Sequence, residues 1–252
     1  MPINEGDAVL IRTSIILAIF IKDIRQYYGK APTISWGLLF PATLIVLLGY
    51  YGAGLGSYRV IPSLLGITLL FSGTSMTHVA MGFDKASGGI ETLIHSPIHP
   101  VELLIAKIMG GVIFGLLGVS IGTAILWGLY GSLQAINPVF LWIGIIFGSI
   151  IFSLLGLLIS SVLDVIQAVM VLNALRFLMI FLGGMLPKEL LPEIVQPLAY
   201  ILPISYVNDL IRYGIYNLFD YVDPISATII AVIYTIVLLL IVYRVIDKCF
   251  NP

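Results

Sequence analysis

Residues 36–54, 60–82, 103–131, 139–161, 165–186 and 225–243 form six long apolar stretches. Each is close to or beyond the roughly 20 residues an α-helix needs to cross a hydrocarbon layer about 30 Å thick. Backbone placed in lipid must satisfy its own hydrogen bonds, which leaves helices as the form such stretches can take. Composition agrees, since 60% of the 252 residues are apolar and only 10% are charged, against roughly 25% charged in a soluble domain. The expected fold class is an all-α membrane protein with six transmembrane helices, a single transmembrane domain over 1–252. A net charge of −1 argues against a nucleic-acid partner, and one cysteine, Cys249, excludes a disulfide framework or a cysteine metal site. Glu5 and Asp7 ahead of the first apolar run, with no small-residue cleavage site after it, predict a retained N-terminus rather than a signal peptide.

Basic residues set the expected orientation. Arg12, Lys22, Arg25, Lys30, Lys85, Lys107, Arg244 and Lys248 fall on one side of the six spans, while Arg59, Lys188 and Arg212 fall on the other. The positive-inside rule then places both termini in the cytoplasm, in agreement with an even number of spans, which puts both on the same side, and the cell membrane is the expected location.

Residues 7–30 are different in kind. Leu17, Phe20, Ile21, Ile24, Tyr27 and Tyr28 recur at helical spacing, with Lys22, Asp23, Arg25 and Gln26 on the opposite face. The pattern predicts an amphipathic helix lying at the cytoplasmic interface. A seventh span over 8–21 is the weaker alternative, because that stretch is short and contains Arg12.

Glycine stripes mark two spans: Gly111, Gly115, Gly118 and Gly122 share one face, and Gly144, Gly148, Gly156 and Ser160 another. Small faces let helices approach closely in lipid, and packing within the chain is the favoured role over a dimer seam or pore wall. The connection 187–224 is broken by Pro187, Pro192, Pro197 and Pro203 yet stays apolar, which predicts short helices re-entering the outer leaflet. Tyr200, Tyr206, Tyr213, Tyr216 and Tyr221 would then sit at headgroup level.

Catalytic chemistry has little to stand on. The only Gly-Lys pair, Gly29-Lys30, is followed by Ala31, so no phosphate-binding loop is present and any ATP is handled by another chain. His95 and His99 lie four apart, but Pro97 and Pro100 interrupt a helix there, and no metal site is expected. Ser72 and Ser75 lie near His78 without the G-x-S-x-G turn of a serine nucleophile. Arg176 is deep in a span, where arginine costs about 2.5 to 3.5 kcal/mol, with Asn173 one turn before it. It reads equally as a residue of a translocation path or gate and as a buried polar tether.

The connection 83–102 holds Gly88-Gly89, then Glu91, Leu93, His95, Ser96 and Pro97, an amphipathic turn closed by Ser-Pro. A short surface helix that docks a soluble partner needs that shape; a helix lying on headgroups is the plainer alternative. With Lys107 beyond it, this region resembles the first cytoplasmic connection of the membrane subunit of type-2 ATP-binding-cassette (ABC) exporters, with Gly89 where that family has threonine. A second region is similar as well: Gly183-Gly184, Pro187, Pro192, Gln196, Leu202-Pro203, Tyr206, Asp209 and Arg212, with Gly183 in a serine position.

The resemblance implies a permease half that homodimerises and binds two ABC ATPase subunits. These partners would bind ATP and magnesium, so the chain itself carries no cofactor and is not an enzyme. It further implies that Gly88, Glu91, Leu93, His95, Ser96 and Pro97 form the ATPase-docking coupling helix, aided by Lys22, Arg25 and Lys30. Asn173, Arg176, Asp209 and Arg212 are then candidates for a path or gate, and the glycine stripes would let spans slide. The implied cargo is hydrophobic, drug-like or lipid-linked. The competing function is an ATP-independent secondary transporter or channel, which internal repeats and several intramembrane carboxylates would favour; neither is evident.

Overall fold

A computed structural model describes residues 12–51, 57–131, 134–184 and 191–250. The expectations that fall on residues 7–11 of the entry segment and on Pro187 and Lys188 lie outside the described residues. Among the described residues six helices are long and apolar enough to cross a membrane: Ala31–Leu48, Val60–Ala86, Pro100–Tyr130, Pro138–Val162, Val165–Gly184 and Pro224–Phe250. They are called the first to sixth spans below. The helix Thr13–Asp23, continued by a wider turn over Ile24–Tyr28, precedes them, and a short loop helix, Gly89–Ile94, lies between the second and third spans.

The second span continues past the expected end of its apolar stretch, through Asp84 and Lys85. Both charges have partners there. Lys85 Nζ donates to the carbonyls of Ser161 and Leu163 at 2.8 and 3.1 Å, capping the C-terminal end of the fourth span.

The second span is the axis of the bundle and is almost wholly enclosed, whereas the first, fifth and sixth spans leave most of their surface uncovered. Its sequence explains why. Ser63, Thr68, Ser72, Thr74, Ser75, Thr77 and His78 would face lipid on an outer helix; at the centre all are buried. Thr68 and Thr77 return their hydroxyls to carbonyls one turn back at 2.7 and 3.1 Å, and His78 Nδ1 lies 2.7 Å from Ser160 Oγ. Ser72 repairs a defect in the first span. Pro41 has no N–H for the carbonyl of Gly37 one turn back, and Ser72 Oγ donates to that carbonyl at 2.6 Å.

The glycine stripes pack within the chain. A Cβ on Gly156 would lie 2.4 Å from Thr77 Oγ1 and 2.6 Å from the Thr74 carbonyl, and one on Gly111 would lie 2.2 Å from Ser153 Oγ. Serine and threonine side chains fill the gaps the glycines leave. These faces therefore interlock, contrary to the expectation of smooth sliding surfaces.

The connection before the sixth span contains two helices, Gln196–Ile201 and Pro203–Tyr216, broken at Leu202-Pro203. The second is buried along nearly its whole length against the second, fourth and sixth spans. Asn208 anchors it by donating Nδ2 to the carbonyls of Gly183 and Gly184 at 3.3 and 3.0 Å. Those carbonyls lie in the widened turn Ile180–Gly184 that ends the fifth span. The Asn208 carbonyl oxygen rests on Gly66, where an added Cβ would lie only 1.8 Å away. The tyrosine belt is only partly as expected, because Tyr206 and Tyr221 turn inward and are buried.

Gly66→Ala should cost about 1–3 kcal/mol by overpacking, read as a lowered unfolding midpoint in detergent. Adding Asn208→Ala should recover part of that loss, because it removes the oxygen the new methyl strikes. Equal midpoints for wild type and Gly66→Ala would contradict the packing described.

Candidate functional site

The loop helix takes its shape from two local causes. Gly88 adopts φ +70°, a left-handed turn that glycine enters without strain, and this reverses the chain out of the second span. At the other end His95 closes the helix, and Ser96 Oγ donates to the Thr92 carbonyl at 2.7 Å. Ile90 and Leu93 pack down on the core while Glu91, Thr92, His95 and Pro97 face outward. The amphipathic turn expected from the sequence is present, with its polar face free among the described residues.

The two histidines are engaged separately. His99 caps the third span, accepting the Val101 N–H on Nδ1 at 3.3 Å, while Glu102 accepts the His99 N–H at 2.9 Å. Glu102, itself buried, is paired with Arg12 at 3.2 Å, and Arg12 also donates to the Pro97 carbonyl. The start of the entry helix is thereby tied to the far end of the loop between the second and third spans.

Below the loop helix lies a charge network that sequence reasoning missed. Asp23, Asp84 and Lys107 are all at most 2% exposed. Lys107 Nζ lies 2.9 Å from Asp23 Oδ2 and also pairs with Asp84. Lys22 Nζ reaches Asp84 at 2.7 Å and Asp23 at 3.1 Å, and the Tyr27 hydroxyl donates to Asp84. Two lysines and two aspartates make the cluster neutral. Asp23, expected on the solvated face of the entry helix, is thus a correction, as is Lys107, read as a flanking surface charge. Both could have been suspected: Lys107 lies inside the apolar stretch 103–131, where a charge normally has a specific partner, and Asp23 follows Ile19 by four residues.

Electrostatics holds Lys22 charged. Burial by itself would lower the Lys22 ammonium, but Asp23 and Asp84 outweigh it and keep the group above its ordinary value. A raised lysine contributes stability that is intact below its unfolded value and fades only as alkali titrates the folded group. The Tyr27 hydroxyl is also pushed up, by burial first and then by the hydrogen bond to Asp84, so it stays a donor.

Of the other residues expected in this region, Arg25 and Lys30 are exposed. They line an open recess of about 450 Å³ with Gln26, Tyr27, Phe83 and Ser87, and Lys30 Nζ sits 5.5 Å from the Phe83 ring centre.

The four residues expected at a path or gate fall into two places. Arg176 and Asn173 form one pair, with Arg176 Nη1 donating to Asn173 at 2.9 Å. Arg176 Nε donates to Thr74 Oγ1 at 2.9 Å and Nη2 to Ser75 Oγ at 2.8 Å, across to the second span. That geometry is a polar tether between spans. Asp209 and Arg212 are elsewhere, in the buried hairpin helix. Asp209 accepts the N–H groups of Asp220, Tyr221 and Val222 at 2.8, 2.8 and 3.0 Å, and Arg212 bridges Asp209 and Asp220 at 3.2 and 2.6 Å. The Asp209 carboxylate thus folds the chain back into the sixth span.

Lys107→Met would leave two buried aspartates facing one lysine. Removing one partner of a buried pair costs about 3–5 kcal/mol, so a large drop in unfolding free energy in detergent is expected, partly restored by adding Asp84→Asn. Unchanged stability of Lys107→Met would contradict the network.

A family model described as ABC-2 type transporter matches residues 15–216. That range takes in most of the entry helix, the loop helix, five spans and both helices of the connection before the sixth span. A comparison with curated proteins gives no match.

Proposed function

Because the chain belongs to the ABC-2 type transporter family and is its multi-pass membrane component, we propose that it is the permease half of an exporter. A separate nucleotide-binding subunit drives it by hydrolysing ATP with magnesium. In this reading the loop helix is the coupling helix. Gly88 sets its turn, Leu93 seats it, and Glu91, His95 and Pro97 present its polar face to a cleft on the ATPase, with Ser96 closing its end. Lys22, Arg25 and Lys30 border the same end of the bundle. Both termini face the cytoplasm, and the chain sits in the cell membrane. The hairpin re-enters from the outer side, while lipid and a second copy of the chain cover the open faces of the first, fifth and sixth spans.

The supporting observation is the bracing of the loop helix. Its outward face is free, but its base is joined to the entry helix through Arg12, Glu102 and the Lys22–Asp84–Lys107–Asp23 network. A short helix on such a base transmits force instead of bending. When nucleotide draws two ATPase subunits together, the docked loops turn with them, and the spans rock as rigid bodies to open a path between the two permease halves. The cargo is hydrophobic, drug-like or lipid-linked.

Glu91→Arg reverses charge on the docking face at an exposed position. It should leave folding unchanged and abolish both co-purification of an ATPase and ATP-dependent transport. Retention of both at wild-type level would overturn the coupling assignment.

A further inference from the structure

Buried charges in this chain have a consistent solution. Asp23, Asp84 and Lys107 neutralise one another with Lys22, Glu102 pairs with Arg12, and Asp209 pairs with Arg212. Arg176 breaks the rule. It is 3% exposed, and its hydrogen bonds go to Thr74, Ser75 and Asn173, all neutral, with no carboxylate in ion-pair range among the described residues. Three of its five N–H groups are used this way, leaving donor capacity for another acceptor. It lies eleven residues into the fifth span from Val165, which is about 16 Å along the axis and near half the depth of the hydrocarbon layer.

The surroundings are equally particular. The guanidinium lies 5.0 Å over the Phe71 ring. Phe71 continues into Trp36 at 6.3 Å and Phe40 at 4.7 Å, and Phe40 meets Phe177 edge-on at 6.4 Å. Trp36 and Phe177 are exposed and Asn173 is half-buried, so this aromatic wall opens on the uncovered side of the first and fifth spans. A lone cation behind it, with no nearby counter-charge and little water to screen it, holds a positive potential over that apolar surface.

We propose that Arg176 and Asn173, behind the wall of Trp36, Phe40 and Phe177, form a binding site for an anionic amphiphile. Its carboxylate or phosphate head is drawn to the guanidinium and its apolar body lies along the aromatic side chains. The chemistry follows from the parts: a delocalised cation with spare N–H donors matches an oxyanion, and the wall supplies apolar contact. This assignment rests on the permease reading for its biological use, as it gives the cargo a charge sign. The site itself is a property of the isolated chain.

The test uses the full-length protein in phosphatidylcholine vesicles without any ATPase. Trp127 and Trp142 are replaced by phenylalanine so that Trp36 is the reporter. Quenching is titrated with dibrominated stearate, its methyl ester and a trimethylammonium analogue of the same acyl chain. The carboxylate should bind about tenfold or more tightly than the ester, a difference of about 1.4 kcal/mol, and the cationic probe most weakly. Arg176→Lys should keep the preference in part and Arg176→Gln should lose it. The wild-type series alone decides the matter if Arg176→Gln does not fold. Equal affinity for the three probes, or an unchanged preference in folded Arg176→Gln, would overturn the proposal. Competition by phosphatidylglycerol assigns the site to a bilayer lipid, and its failure to compete assigns it to a transported cargo; the site stands in both cases. Absence of ATP-driven transport by the assembled transporter, with the charge preference intact, would count against the exporter reading alone.

Discussion

The buried contact of Lys107 with Asp23 and Asp84 is the constraint from which the loop-bearing end of the bundle follows. Charges placed this deep are tolerated only when each has an opposite partner and hydrogen bonds to complete its shell. Three elements must meet to provide them: the entry helix brings Asp23, Lys22 and Tyr27, the second span brings Asp84, and the third brings Lys107. Asp84 is five residues before the loop helix begins, so whatever fixes Asp84 also fixes the base of that helix. Arg12 and Glu102 close the ring from the other side. The entry helix is therefore built into the bundle through polar contacts.

The chain solves the problem of buried charge in three ways. The Lys107 network uses charges of both signs and is neutral. Asp209 uses backbone N–H groups, whose donors lie in the turn that leads to the sixth span, together with Arg212. Arg176 uses only hydroxyls and an amide. The first two settle charge and position together and act as structural joints. The third settles position but leaves charge uncompensated, which is the physical ground for separating Arg176 from the pairs around it.

Much of the fold was legible in the amino-acid sequence because lipid imposes a crude filter: length and apolarity alone find all six spans, with ends up to seven residues from those observed. The loop helix was also legible, since Gly88 and Ser96-Pro97 mark its ends and Glu91 and Leu93 its two faces. What was hidden depended on which helices become neighbours. Asp23 and Lys107 are far apart in sequence, and periodicity gives each a face without saying what that face meets. The glycine stripes predicted close approach, but not that Ser72, Ser153 and Thr77 would fill the space. Asn208 was invisible for the same reason, because its partners are the open carbonyls of a widened turn that no pattern announces. Asp209 and Arg212 were paired with Arg176 as path residues, yet their contacts belong to the closure of the hairpin.

The central claim is that the entry helix and the loop between the second and third spans are one rigid unit held by the Lys107 network. It is tested most directly by a spin-label distance between Gln26 and Ser87, both exposed and outside the proposed docking face, in a Cys249→Ser background that removes the exposed native thiol. The transporter complex is measured with and without bound nucleotide. A rigid unit predicts that the distance stays the same to within about 2 Å while the spans rock, whereas a change of about 5 Å, one helical turn, would show the two elements moving separately and contradict the account.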